Sequence, residues 1–264
     1  LIIAVVFVIS ELVCVACVPE RPVACDETPG KISDMFKALF KNDQAMTVVV
    51  SIILVYTSLN ICGNLVLYFF RFDVGNEGAY SIFAAVAFAA QVLVMMVIPL
   101  LRKRFSKSQL FISGFIIQIA GFAVILIMAF AKLYTPQSWY ILCLPGILIY
   151  LGYGMLNVIM TIFLSDSVDY GEVMNGTREE SVIFSMQTFT VKLASGVAVF
   201  LAGLVVDWIH LDTAAAVQTR DTLDALRMWM TIPSVILLIV GIFVFKRFYK
   251  LDDTRMEEIK SKLN

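Results

Sequence analysis

The chain has 264 residues, of which 60% are hydrophobic and 16% charged, and its formal net charge is -1. This balance excludes an ordinary soluble domain, and a near-neutral charge gives no footprint for nucleic acid. The apolar residues fall in blocks of membrane-crossing length, so the chain is an integral membrane protein.

In chain order the blocks cover residues 1–18, 46–72, 79–101, 110–133, 139–165, 181–206 and 228–248. About 20 apolar residues carry a helix across a hydrocarbon core of about 30 Å, which predicts an all-α, polytopic fold. No basic n-region precedes residues 1–18, so that block reads as the end of a transmembrane helix and not as a signal peptide. Cys14 and Cys17 lie within it without the further ligands of a metal or redox site, and they read as packing residues. Residues 31–44 place Ile32, Met35, Phe36, Leu39 and Phe40 at helical spacing, as in an amphipathic helix on a membrane surface.

Arg102, Lys103, Arg104 and Lys107 form the densest short basic cluster, which the positive-inside rule assigns to the cytoplasm. Counting from there, residues 19–45, 166–180 and the basic segment 246–250 are cytoplasmic, and 73–78, 134–138 and 207–227 are external. The polar residues 251–264 are expected to be a solvated end. Asn175-Gly-Thr177 fits a glycosylation pattern but falls on a cytoplasmic loop, where Thr177 to Glu180 fits a capping box instead.

Three blocks carry polar or small residues at three- and four-residue steps, and therefore on one helix face. They are Tyr56, Asn60, Gly63, Asn64 and Tyr68; Tyr150, Tyr153, Gly154, Asn157, Thr161 and Ser165; and Ser181, Ser185, Thr188, Lys192, Ser195, Gly196 and Gly203. Close helix packing accounts equally well for Ser195, Gly196 and Gly203. It does not account for Lys192, because an ammonium at bilayer depth costs roughly 2.5–3.5 kcal/mol on insertion scales and needs acceptors or water. Blocks 110–133 and 228–248 are poorer in such residues, Gln118 apart, and are expected to be outer, lipid-facing helices. Asp166, Asp169 and Glu172 follow the 139–165 block, where carboxylates oppose the helix dipole and call for basic partners from Arg178 or the 102–107 loop. No paired histidines or phosphate-binding loop suggest an enzyme, and no cofactor is expected.

Ser165-Asp-Ser-Val-Asp-Tyr-Gly-Glu172, Gly176-Thr-Arg-Glu-Glu180 and Phe184-Ser-Met-Gln-Thr-Phe-Thr-Val-Lys192 closely resemble the glycoside-pentoside-hexuronide:cation symporter family of the major facilitator superfamily. Val18-Pro-Glu-Arg-Pro22 also looks like that family's exit from its sixth helix. The resemblance implies a C-terminal half: the end of helix six (1–18), a cytoplasmic middle loop with an amphipathic helix (19–45), helices seven to twelve (46–248) and a cytoplasmic tail (249–264). It implies sugar symport with Na⁺ or H⁺ by alternating access, with the cation site in the N-terminal half, outside this chain. By the family's pattern Gln187, Thr188 and Lys192 belong to the sugar-cavity wall, to which the polar faces add Asn157, Tyr56 and Asn60. Asn157 stands where melibiose permease has a tryptophan, so the substrate need not be a galactoside. Asp166, Asp169, Glu172, Arg178, Arg102 and Arg104 are the expected cytoplasmic gate. The expected partners are a sugar, the coupling cation, the lipid bilayer and the N-terminal half, and the expected location is a bacterial inner membrane with the C-terminus inside. A lipid or amphiphile carrier on the same fold and a non-transporting membrane sensor are the competing readings.

Overall fold

The computed structural model describes residues 2–17, 40–176 and 180–263. The chain forms two units, residues 1–35 and 36–264. In the first, helix α1 (Ile2–Cys17) is apolar along its length apart from Ser10 and Glu11. The second contains α2 (Asp43–Tyr68), extended by a π-helical turn (Phe69–Val74), then α3 (Ala79–Leu101), α4 (Lys107–Ala131), α5 (Cys143–Asn175), α6 (Glu180–Trp208), α7 (Arg220–Phe248) and a short α8 (Asp253–Leu263). Six helices are long and apolar enough to cross a membrane, and all regular secondary structure among the described residues is helical, in agreement with the all-α, polytopic expectation.

Local chemistry sets the helix ends. Asn42 caps α2 by accepting from Ala45 N at 2.9 Å, so any surface helix over residues 31–44 stops at Lys41; residues 31–39 lie outside the described residues. Ser106 and Gln109 close a reciprocal capping box that makes Lys107 the first residue of α4. Thr219 caps α7, which begins at Arg220, so the helix takes in residues 220–227 of the 207–227 segment read as a loop. Thr177, the proposed cap of the following helix, lies outside the described residues.

The largest departure concerns Asp166, Asp169 and Glu172. They were expected on a loop, yet α5 runs on through them and ends only at Gly176, whose φ of 74° provides a left-handed cap. Nothing in Ser165–Met174 breaks a helix, and about 20 residues from Cys143 already cross the hydrocarbon, so the acidic turns project beyond it. One helix face therefore presents the carboxylates on a rigid support.

Helices α2 and α5 form the centre: 61% and 56% of the residues in their apolar windows are buried, against 28% in both α3 and α6. Helix α2 packs on α5, α6 and α7, while α5 packs on α2, α3, α4 and α8. Residues 110–133 keep an exposed face, at Ile116, Ile127 and Phe130, as expected of an outer helix, and bury the other. Phe111, Phe115, Gln118 and Phe122 of α4 are fully buried, because α4 and α5 cross backbone to backbone. A Cβ on Gly152 would meet Gln118 N and Gly114 O at 2.6 Å, and one on Gly121 would meet Ile149 N at 2.7 Å. Small residues permit this approach, which large side chains would forbid. Ser58 and Ser234 tie α2 to α7 by donating to each other's carbonyls at 3.1 and 2.8 Å.

Residues 251–263 also differ from the solvated end predicted for them. Leu251, Met256 and Ile259 are buried against Tyr170, Val173 and Tyr249: Met256 and Ile259 share one face of a short helix capped by Asp252, and Leu251 stands just before it.

Candidate functional site

The polar faces of three helices converge. Asn157 Nδ2 of α5 donates to the Tyr56 hydroxyl of α2 at 2.5 Å, and the Tyr56 ring meets Tyr153 edge-on at 5.5 Å between centroids. One turn beyond Asn157, the Thr161 hydroxyl donates to Asn157 O at 3.1 Å and accepts from Gln187 Nε2 of α6 at 3.3 Å. Tyr56, Asn157, Thr161 and Gln187 thus form a polar belt across α2, α5 and α6. On α2 the belt extends along the helix, as Asn60 Nδ2 donates to Tyr56 O at 2.8 Å and Asn64 Nδ2 to Asn60 O at 2.7 Å. These amides satisfy local carbonyls while keeping their remaining polar capacity, so the wall can exchange hydrogen bonds with a hydroxyl-rich solute.

Helix α6 presents two faces of opposite character. Ile183, Met186, Thr190, Ala194, Ala198, Ala202 and Val205 are buried, and α6 packs extensively on α2. Thr188, Lys192, Gly196 and Gly203 lie on exposed positions. A Cβ at Gly196 or Gly203 would meet no atom within 4 Å, so packing among the described residues does not explain these glycines. Lys192 carries no ion pair among the described residues, and Thr188 donates only to Phe184 O at 3.3 Å. The structure thus joins Gln187 to Asn157 and Tyr56 through Thr161, a residue the predicted site omitted, and leaves Thr188 and Lys192 projecting from the same wall. Toward the other end, a cavity of about 350 Å³ opens between Asn64 and Tyr68 of α2 and Gly203 and Asp207 of α6.

At the end of the bundle carrying the 102–107 loop, Asp166 pairs with Lys107; their side chains are 7% and 8% exposed. Asp253 of α8 stands 3.5 Å from Lys107 and 3.3 Å from Arg102. Asn42 Nδ2 donates to Ser167 O at 2.7 Å and anchors the start of α2 beside this cluster. Asp169 and Glu172 continue along α5 and have partners of their own. Arg178 lies outside the described residues, and Arg104 is exposed with no ion pair among them. The sequence offers the whole 102–107 loop as partner of these acids; the structure selects Lys107, which the expected gate residues did not include, and adds Asp253. The Ser106-x-x-Gln109 pattern would have placed Lys107 on the first turn of α4; nothing local marked Asp253.

A second charge cluster at the opposite end was missed altogether. Arg227 of α7 grips Asp73 with two nitrogens, one at 2.9 Å, and both side chains are only 3% exposed. The Tyr134 hydroxyl also donates to Asp73, and Asp224 takes the remaining Arg227 nitrogen at 2.6 Å. Burial, and then the hydrogen bond to Asp73, raise the Tyr134 pKa well above its ordinary value, so the phenol keeps its proton. The signal available in the sequence was a carboxylate and a guanidinium each set against an apolar block.

A family profile described as "MFS/sugar transport protein" matches residues 1–253. Relatives include an uncharacterized symporter of Bacillus subtilis, 25% identical over 88% of this chain and 49% of its own length. The raffinose carrier protein of Pediococcus pentosaceus is 23% identical over 88% of this chain and 35% of its own. The isoprimeverose transporter of Lactiplantibacillus pentosus is 25% identical over 84% and 44% respectively. The chain spans about half or less of the length of these relatives. They bear out, at the level of the family, the resemblance carried by the Ser165–Glu172 and Phe184–Lys192 motifs, and six spanning helices with a profile match over 1–253 lead to one conclusion: the chain belongs to the MFS/sugar transport protein family.

Proposed function

We propose that this chain supplies the C-terminal half of a sugar:cation symporter of a bacterial inner membrane. In this reading residues 1–18 end a sixth helix, 19–45 form a cytoplasmic middle loop, 46–248 are helices seven to twelve, and 249–264 are a cytoplasmic tail. Six spanning helices and matches to 49% and 44% of the length of two of these relatives support the division. The basic 102–107 loop and the basic residues 246–250 support a cytoplasmic C-terminus.

The observation that carries the reading is the belt from Tyr56 through Asn157 and Thr161 to Gln187, in a chain of a sugar-transport family. Sugars are recognised by directional hydrogen bonds beside aromatic surfaces, and the belt with Tyr153 offers both. Thr188 and Lys192 add a hydroxyl and an ammonium on the exposed face of α6, toward the space where the other half would close the pathway. Lys192 would bind a sugar hydroxyl, an anionic substituent or a carboxylate of that half. The coupling cation, Na⁺ or H⁺, would bind in the other half. Asp166, Asp169, Glu172, Arg178, Arg102 and Arg104 would form the cytoplasmic gate, with Lys107 as the partner of Asp166.

The test is uptake of labelled raffinose, lactose and other candidate sugars into sealed vesicles carrying the intact transporter, under an imposed Na⁺ or H⁺ gradient. Lys192→Ala is expected to lower kcat/KM by about 10- to 100-fold, the value of one hydrogen bond to a charged group. Uptake of every transported sugar at the unmodified rate would refute the site assignment.

A further inference from the structure

The polar helix α8 is bound to the bundle by two kinds of contact. Leu251, Met256 and Ile259 are 1%, 2% and 7% exposed, and they hold the helix against the last turns of α5. Gln44 of α2 fixes its approach by accepting from Lys250 N at 2.8 Å. Asp252 accepts from Arg255 N at 2.9 Å, and this cap sets Asp253 at the first helical position, over the ends of α3 and α4.

There two acids, Asp166 and Asp253, meet two bases, Lys107 and Arg102, so the cluster is neutral as a whole. Its burial is graded. Asp166 and Lys107 are 7% and 8% exposed, whereas Arg102 and Asp253 are 28% and 39% exposed. The inner pair cannot part without stranding a buried charge. The outer pair lies at the solvent edge, where an ion pair is worth little and can open readily. A solvent-open groove of about 440 Å³, lined by Tyr170, Met174, Lys250, Arg255 and Glu258, runs alongside the contact between α8 and α5. Tyr249 links the two layers: its ring packs on Phe163 and Phe245, and its hydroxyl is buried without a hydrogen-bond partner among the described residues. Burial, and then the charges of Asp166 and Asp253, hold its pKa well above the ordinary value.

We propose that α8 is a detachable strap on the cytoplasmic gate, and that Asp253 is a positioning residue which, by holding Arg102 and Lys107, sets the spacing between the α3–α4 turn and the acidic end of α5. The inference deepens the transporter reading and rests on it for the effect on flux. The inner pair stays closed whether the strap is docked or not. Docking removes one freedom of the α3–α4 turn, and release restores it, so the strap adjusts the rate of conformational exchange without touching the sugar wall.

Hydrogen exchange and transport test the two parts separately in wild type, Asp253→Asn and Asp253→Glu. In the Asn variant, exchange of the α8 amides and of the 101–107 turn is expected to rise roughly two- to fivefold, the loosening that loss of the solvent-edge ion pairs of Asp253 with Arg102 and Lys107 allows. Sugar KM should hold while turnover changes, and the Glu variant should restore both readouts. Unchanged exchange at the 101–107 turn in the Asn variant would overturn the strap. Looser exchange with unaltered turnover would reduce α8 to a packing element and overturn the positioning role. Absence of sugar flux in the wild type would overturn the transporter reading instead, leaving the strap to be judged on exchange alone.

Discussion

The buried cluster at the end opposite the 102–107 loop offers the sharpest test of the energetics. Asp73 receives two nitrogens of Arg227 and the hydroxyl of Tyr134, while Arg227 also holds Asp224 and lies 5.7 Å from the Phe130 ring. Asp73 and Arg227 are each 3% exposed, but Asp224 is 33% exposed and can turn to water. Removing one partner of a buried pair strands the other, at a cost of about 3–5 kcal/mol. Arg227→Met should therefore be the most damaging change, because Asp73 keeps only Tyr134. Asp73→Asn should cost less, toward about 3 kcal/mol, since Arg227 retains Asp224, and Asp224→Asn should cost no more than about 1 kcal/mol. The double change Asp73→Asn with Arg227→Met should fall well short of the sum of the singles, because neither charge is then stranded. Denaturant unfolding of the purified chain in detergent, followed by helical circular dichroism, reads each value. Additive single changes, or Asp224→Asn as costly as Arg227→Met, would refute the account of a desolvated pair.

Two other expectations follow from the same physics. The raised pKa of Tyr134 means that the unfolded state gives up the phenol proton first; its contribution is complete below about pH 10 and is lost as pH rises from there through the folded value. Tyr134→Phe should flatten the alkaline limb of a stability profile, and an unchanged limb would show that other groups control it. Gln118 is 0% exposed with neither amide atom hydrogen-bonded among the described residues, so Gln118→Leu, similar in volume, should raise stability by about 1–2 kcal/mol; a loss of that size would reveal an unrecognised partner.

Hydropathy alone located the six spans, because the bilayer imposes one length scale on every segment that crosses it. Helical periodicity likewise grouped Tyr56 with Asn60 and Asn157 with Thr161, since positions three or four apart share a face whatever surrounds them. It could not show that Tyr56 touches Asn157 or that Thr161 reaches Gln187, for these contacts cross helices 101 and 26 residues apart.

Pairing between distant charges lay still further from view. Asp166 asked for a base, and several stood in the 102–107 loop; only the capping of α4 by Ser106 turned Lys107 inward and left Arg104 exposed. The reach of α5 through Glu172 depended on the absence of any stop signal before Gly176, and the burial of α8 on apolar contacts too few to register as a membrane segment. Composition and periodicity determined that the chain crosses a membrane, where the six spans of residues 43–248 lie, and which helix faces are polar, because those properties are local in sequence. Which polar faces meet, which acid holds which base, and that α8 packs against the bundle were decided by tertiary packing, where a buried charge must find its partner among residues far away along the chain.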